Sequence, residues 1–119
     1  MEVKEKVVAF ASWVRPPVGL EIRVNFGLFA GREATPAEID ELGRRLLGEV
    51  DAVSLVAERR HELSADVEAS VHQVRIEVEP DRVPADAAAF EQLETRLVDL
   101  AERWAGACVA DRRAFSSGA

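Results

Sequence analysis

"VSLVAERRHELSADVEASVHQVRIEV", residues 53–78, contains two strand-like patterns and both histidines of the chain, His61 and His72. Residues 52–62 and 69–79 alternate apolar with polar side chains, which predicts two half-buried strands joined by a short polar segment. Directly opposed residues of an antiparallel pair share a face, so a two-residue turn at Ala65-Asp66 pairs Ala57 with Val74 and keeps the apolar faces together. The stretch therefore predicts a β-hairpin of defined register.

The same register has consequences for the histidines, because it places Arg59 opposite His72 and His61 opposite Ser70. Both imidazoles then lie on the helix-facing side of the sheet, near the hairpin tip. In the predicted topology, Arg32 and the Trp104/Cys108 end of the last helix reach the same end of the sheet. We call Arg32, Arg59, His61 and His72 the polar pole, and we expect the last helix to cover the hairpin where it extends beyond the first helix.

Three further segments complete the predicted elements. Residues 20–30 alternate in the manner of a half-buried strand, and Gly27 within them indicates a bulge or a close backbone approach. Residues 35–50 predict a helix with Thr35 as N-cap, Pro36 at the first position and Glu38 in a capping box. Residues 86–110 predict a long helix whose apolar stripe contains Phe90, Leu93, Leu97, Leu100, Trp104 and Cys108.

The order of these elements, β-α-β-β-α, predicts a two-layer α+β sandwich of ferredoxin-like type. The third strand is expected between the first two and antiparallel to both. The usual fourth strand after the second helix is missing. Residues 6–14, "KVVAFASWV", could fill that edge as a strand or dock on the sheet as a helix. We expect one domain over residues 1–113 and a flexible tail over 114–119.

Composition restricts the class of protein. The 119-residue chain carries a formal net charge of −7, which disfavours a nucleic-acid-binding surface. Its longest apolar run near the start, residues 7–14, is too short to cross a bilayer and lacks the pattern of a signal peptide. The single cysteine, Cys108, cannot form an intramolecular disulfide, which suits a reducing compartment. We therefore expect a soluble cytoplasmic protein with neither a nucleic-acid nor a membrane partner.

The polar pole is the one place where the sequence brings chemically versatile groups together. A metal site is not predicted, because His61 and His72 are diagonal in the register and a third ligand is lacking. His72 beside Arg59 suits general acid–base catalysis, since a nearby guanidinium favours the neutral imidazole. Arg32 and the first helix's N-terminus could hold a small anion, although Glu33 and Glu38 oppose it. No cofactor is predicted, and Cys108 on an apolar stripe is expected to be inert.

The opposite face of the sheet carries mixed charges and apolar residues and is expected to lack a covering helix. Its candidate dimer residues are Arg23, Phe29, Val56, Val71 and Arg75. Our first hypothesis is a binding or assembly module that forms a homodimer through this face. The second is a small cofactor-free enzyme or ligand-binding protein that uses the polar pole. The architecture resembles that of dimeric α/β-barrel enzymes, without a match to any family motif.

Overall fold

In the computed structural model, residues 8–15, 18–66 and 68–117 are described, and they form a four-stranded antiparallel sheet with helices on one face. In chain order the elements are β1 (Val8–Val14), β2 (Gly19–Val24), α1 (Phe26–Ala30), α2 (Pro36–Leu46), β3 (Ser54–Leu63), β4 (Glu68–Val78) and α3 (Ala87–Ser117), with a 3₁₀ turn at Pro80–Arg82. The architecture is α+β, as expected, and is compatible with a two-layer sandwich.

The strand order of the sheet is β1-β2-β4-β3. The third strand of the predicted series, β4, lies between β2 and β3 and is antiparallel to both, which confirms that expectation. The N-terminal segment pairs antiparallel with β2 over Val8–Val14, so within these residues the strand alternative is correct and the docked helix is wrong. Within the described residues, the edges of the sheet are β1 on one side and β3 on the other.

The register of the central hairpin is the one that the alternation predicts. Ala57 pairs with Val74, Arg59 with His72, and His61 with Ser70. The last described pair of the ladder is Leu63 with Glu68, and Ala65 and Asp66 lie in the connection between the strands. Because the side-chain period of a strand is two, this register points Val74, Ile76 and Val78 into the core together.

The strand predicted over residues 20–30 is wrong after Val24, because the chain turns there into the short helix α1. Phe26 and Ala30, four residues apart, are both buried and lie on one side of this helical turn. Gly31 ends α1 in the left-handed conformation with φ of 73°, which glycine adopts without steric cost. The alternation of apolar residues therefore extends past the end of the observed strand and overestimates its length.

Gly27 makes the close backbone approach that the sequence indicates, and its neighbour is His72. A Cβ atom at position 27 would lie 2.8 Å from the His72 Cβ and 3.0 Å from the His72 backbone nitrogen. Helix α1 is thus pressed directly onto β4 at the level of the predicted pole.

Helix α2 begins as predicted. The Thr35 side chain accepts the Glu38 N–H, and the Glu38 carboxylate accepts the Thr35 N–H, which completes the capping box. Leu42 and Leu46 are fully buried against the sheet and the last helix.

The last helix is longer than predicted, since α3 continues to Ser117. The Asp86 carboxylate accepts the Ala89 N–H at its start. Its buried side chains share one stripe and complete the core: Leu93, Leu97, Ala101, Trp104, Ala105 and Cys108.

The expectation that the last helix covers the far end of the hairpin is wrong. On the helix-facing side of β3, Ala57, Arg59, His61 and Leu63 are all exposed, and the Leu63 side chain is 72% accessible. The reason is the course of α3, which packs on β1, β2, α1 and α2. This part of β3 is therefore exposed on its helix-facing side, and we call residues 57–63 of β3 the arm.

Candidate functional site

Arg32, the first residue of the predicted pole, is occupied by an intramolecular ion pair. Its guanidinium donates from both terminal nitrogens to the two carboxylate oxygens of Glu38, each at 2.7 Å. It also lies over the Phe26 ring, with its central carbon 5.3 Å from the ring centroid. A bidentate pair of this kind fixes both side chains, so Arg32 joins the α1–α2 loop to the first turn of α2.

The environment of Glu38 keeps its carboxylate ionised. The hydrogen bond from Arg32 is the largest influence, and together with those from the Thr35 N–H and the Cys108 thiol it outweighs partial burial and lowers the pKa of Glu38 to about 2. The same contact raises the pKa of Arg32. An anionic ligand at Arg32 would have to displace this carboxylate.

Aromatic side chains fill the interior at this end. Trp104 is buried, and its indole Nε1 donates to the Glu38 backbone oxygen at 2.8 Å. Its ring packs on Phe26 with the centroids 5.1 Å apart. The predicted proximity of Arg32 to the Trp104/Cys108 end of α3 is therefore correct, and the groups meet in a packed cluster built around Glu38.

The two histidines occupy different environments. His72 is half-buried beneath α1, and its Nδ1 lies 3.8 Å from a carboxylate oxygen of Glu33. His61 and Arg59 lie on the arm, and both side chains are exposed. The structure thus places Arg59 beside His72 in the ladder, whereas Arg32 is directed at Glu38 instead of the histidines.

Cavities with described linings lie away from the histidines. One of about 220 Å³ lies beside the Glu38 cluster and is lined by Ala37, Glu38, Glu41, Arg45, Trp104, Ala107 and Cys108. An apolar one of about 420 Å³ lies at the opposite end, between Trp13 and Phe90. A third, of about 520 Å³, runs between α2 and the start of β3. Among the described residues, no group of three or more His, Cys, Asp or Glu side chains is arranged to hold a metal ion.

The open face of the sheet, opposite the helices, is organised around Arg75. Its guanidinium lies 3.3 Å from Glu58, 3.0 Å from Glu77 and 3.9 Å from Glu21. The Arg75 Nε is buried and makes no hydrogen bond to a described residue, although a Glu77 carboxylate oxygen lies 3.0 Å away as an ion pair. Glu21 is only 7% exposed although it lies on this face. The charges of the open face are therefore paired with one another across three strands.

The other members of the predicted dimer face are distributed unevenly. Arg23 donates to Glu21 at 2.8 Å and lies 4.8 Å above the Phe10 ring, on the open face as predicted. Val56 is half-buried next to Arg75 in the ladder, and Val71 holds an open-face position in β4. Phe29 belongs to α1, so the alternation that assigned it to the open face does not apply to it.

Sequence reasoning missed the central role of Glu38. The capping-box spacing identified its contact with Thr35, but one carboxylate also receives Arg32 and the Cys108 thiol. Phe26 was missed as well, because it was assigned to a strand. Its spacing of four residues from Ala30 was the available signal for a helical turn.

No protein-family model matches this sequence, and no curated protein or solved structure matches it either. In the part of the chain that the structure describes, no helix has the length and apolar character needed to span a membrane.

Proposed function

We propose that the protein is a small binding or assembly module that forms a homodimer through the open face of its sheet. The observation that carries this proposal is the burial of Glu21, which is 7% exposed on a face that no described helix covers. Arg23 and Arg75 hold it in place. Burying charges that are already paired costs less desolvation free energy than burying isolated charges. Side chains that are already held in place also lose little conformational entropy on association.

The fold that we propose for this role is a ferredoxin-like sandwich in which β1 occupies the edge usually filled by a strand after the second helix. The order β1-β2-β4-β3 and the antiparallel pairing of β1 with β2 support it. A cytoplasmic location is part of the proposal, supported by the single cysteine and by the burial of its thiol.

The alternative, an enzyme or small-ligand site at the polar pole, has less support. Arg32 is bound by Glu38, and His61 and Arg59 are exposed on the arm. The contact between His72 and Glu33 is the feature that would favour it, because a carboxylate beside an imidazole orients the ring for proton transfer. None of the cavities with described linings includes His72.

Substitution of Ser12 by arginine tests the open-face dimer. Ser12 lies on β1 opposite Glu21, so an arginine there adds bulk and charge to the open face without entering the core. We expect Ser12→Arg to halve the mass measured by multi-angle light scattering. The matched control is Thr95→Arg, which adds the same charge on the exposed side of α3 and should leave the mass unchanged. A Ser12→Arg protein with the mass of the wild type would refute the open-face interface.

A further inference from the structure

The outer edge of the sheet at β3 is a second surface suited to association. β3 has ten residues, and β4 is its one neighbour in the described sheet. A long strand at a sheet edge presents backbone donors and acceptors to solvent and so provides a template for an additional strand. Along the arm this edge is accessible, because the residues of β3 that face the helices are exposed there.

An open groove of about 520 Å³ lies beside this edge, between α2 and the start of β3. Its lining combines apolar side chains with the charged Asp40 and Arg44, and the apolar members are Ile39, Leu47, Val53 and Leu55. Leu47 is 52% exposed, and Leu63 at the end of the arm is 72% exposed. Two large apolar side chains are thus presented to water on the same edge of one small protein, one on the body and the other on the arm.

We propose that a second copy of this chain covers both leucines, with the two β3 strands paired antiparallel in one continuous eight-stranded sheet. Two such strands are related by a twofold axis perpendicular to the sheet. Because directly opposed residues share a face, the axis passes between one residue and the same residue of the second copy. With Arg59 at the axis, residues 55–63 pair with residues 63–55. Leu63 of each arm then lies opposite Leu55 of the other copy, beside the groove that contains Leu47.

Two features select this register. Leu63 comes opposite Leu55, and Glu58, which Arg75 of the same chain already contacts on the open face, comes opposite position 60, an arginine in the sequence, at two places related by the symmetry. An axis at Glu58 would retain the same length of pairing but would oppose Glu58 to itself and move Leu63 away from Leu55. In the preferred register the two Arg59 residues of the dimer are opposed to each other. Arg59 is exposed, so the two guanidinium groups can point apart into water.

The edge interface gives the exposed arm a neighbour. In the isolated chain Ala57, Arg59, His61 and Leu63 are exposed on the helix-facing side, whereas in the pair each arm runs beside the body of the other copy. The interface is independent of the open face. If both form and their twofold axes intersect, they combine into a closed four-chain assembly in which two eight-stranded sheets stack face to face.

A cysteine at the axis tests the register. In antiparallel strands directly opposed Cα atoms lie roughly 4.5–5.5 Å apart, within the range of a disulfide. Oxidised Arg59→Cys should therefore run as a covalent dimer on a non-reducing gel. His61→Cys is the control, since its two copies would be roughly 13 Å apart along the strand. Both variants retain the buried Cys108. Linkage of Arg59→Cys no greater than that of His61→Cys would overturn the proposal.

Mass measurements separate the edge from the open face. Leu63→Asp places a charge opposite Leu55 and should weaken edge association at least tenfold, whereas Ala65→Asp, in the exposed connection, should not. In the Ser12→Arg background, Leu63→Asp should convert a dimer into a monomer. If Ser12→Arg alone has no effect and Leu63→Asp halves the mass, the open-face proposal fails and the edge proposal holds. If Leu63→Asp leaves the mass unchanged in both backgrounds, the edge proposal fails.

Discussion

At the scale of single residues, Glu38 joins three parts of the structure. Its carboxylate receives Arg32 through two hydrogen bonds and caps α2 through Thr35, while its backbone oxygen receives Trp104. One residue thus links the α1–α2 loop, the start of α2 and the interior stripe of α3. Loss of its charge would leave the Arg32 guanidinium half-buried without its partner, which costs more than the loss of an exposed ion pair.

Replacement of Glu38 by glutamine gives a prediction with a defined pH dependence. The folded pKa of Glu38 is about 2 against an ordinary value of 4.5, so its contribution to stability is complete above pH 4.5 and disappears as the pH falls toward 2. We expect Glu38→Gln to lower the free energy of unfolding by about 2 kcal/mol at pH 7. The deficit relative to the wild type should shrink between pH 4.5 and pH 2.

Urea unfolding followed by circular dichroism at pH 7, 4 and 2.5 measures this difference. Glu102→Gln, on the exposed side of α3, is the control and should be neutral throughout. A deficit for Glu38→Gln that stays constant from pH 7 to pH 2.5 would show that the ionised carboxylate is not its source.

At the scale of elements, α1 decides how the predicted pole is filled. This five-residue helix places Phe26 against Trp104 and presses its backbone onto β4 at His72. A helix so short has little stability of its own, so tertiary packing holds it in place. It occupies space over the sheet that the sequence assigned to a ligand or to the last helix.

The contact of α1 with β4 predicts a pair of opposite glycine effects. Gly27→Ala would place a Cβ 2.8–3.1 Å from His72 atoms, two of which belong to the backbone, and should destabilise the protein by about 1–3 kcal/mol. Gly106→Ala, in α3 with no atom within 4 Å of the added Cβ, should be neutral or stabilising by up to about 1 kcal/mol. Thermal unfolding of both variants checks this, and equal midpoint shifts would contradict it.

Local sequence patterns predict the hairpin correctly but miss α1 and the Arg32–Glu38 pair. Residues 53–78 gave the register of the hairpin because alternation and antiparallel geometry are local rules, and they leave one solution that keeps Ala57 and Val74 on one face. The alternation from Leu20 to Leu28 predicts one strand. The prediction is wrong from Phe26 onward, because Phe26 packs on Trp104 as part of the helix α1. Alternation and capping patterns could not predict the Arg32–Glu38 ion pair, because it depends on the path of the loop between α1 and α2.

At the scale of the whole molecule, we propose that the arm and the open face are the two surfaces through which copies of this chain associate. The helices leave two surfaces of the sheet accessible, one of paired charges and the other an edge with exposed leucines. The proposed edge axis is perpendicular to the sheet and the proposed face axis lies parallel to it, so the assembly closes into four chains when the two axes intersect.

The proposed assembly predicts that thermal stability depends on protein concentration. Association of folded chains stabilises them by mass action, so each tenfold increase in concentration should raise the unfolding midpoint by roughly 3–5 °C. Differential scanning calorimetry across two decades of concentration measures this effect. The double variant Ser12→Arg/Leu63→Asp should unfold at one temperature at every concentration, and a midpoint for the wild type that is equally constant would argue for a monomer.

The two tryptophans have a practical consequence for such experiments. Trp104 is 1% exposed and Trp13 is 48% exposed, and the chain has no tyrosine. Near-ultraviolet fluorescence therefore comes from one shielded indole beneath the Glu38 carbonyl and from a second indole open to water at the opposite end. A water-soluble quencher reaches Trp13 and spares Trp104, so the emission that survives quenching is an optical signal of whether the Glu38 cluster is intact.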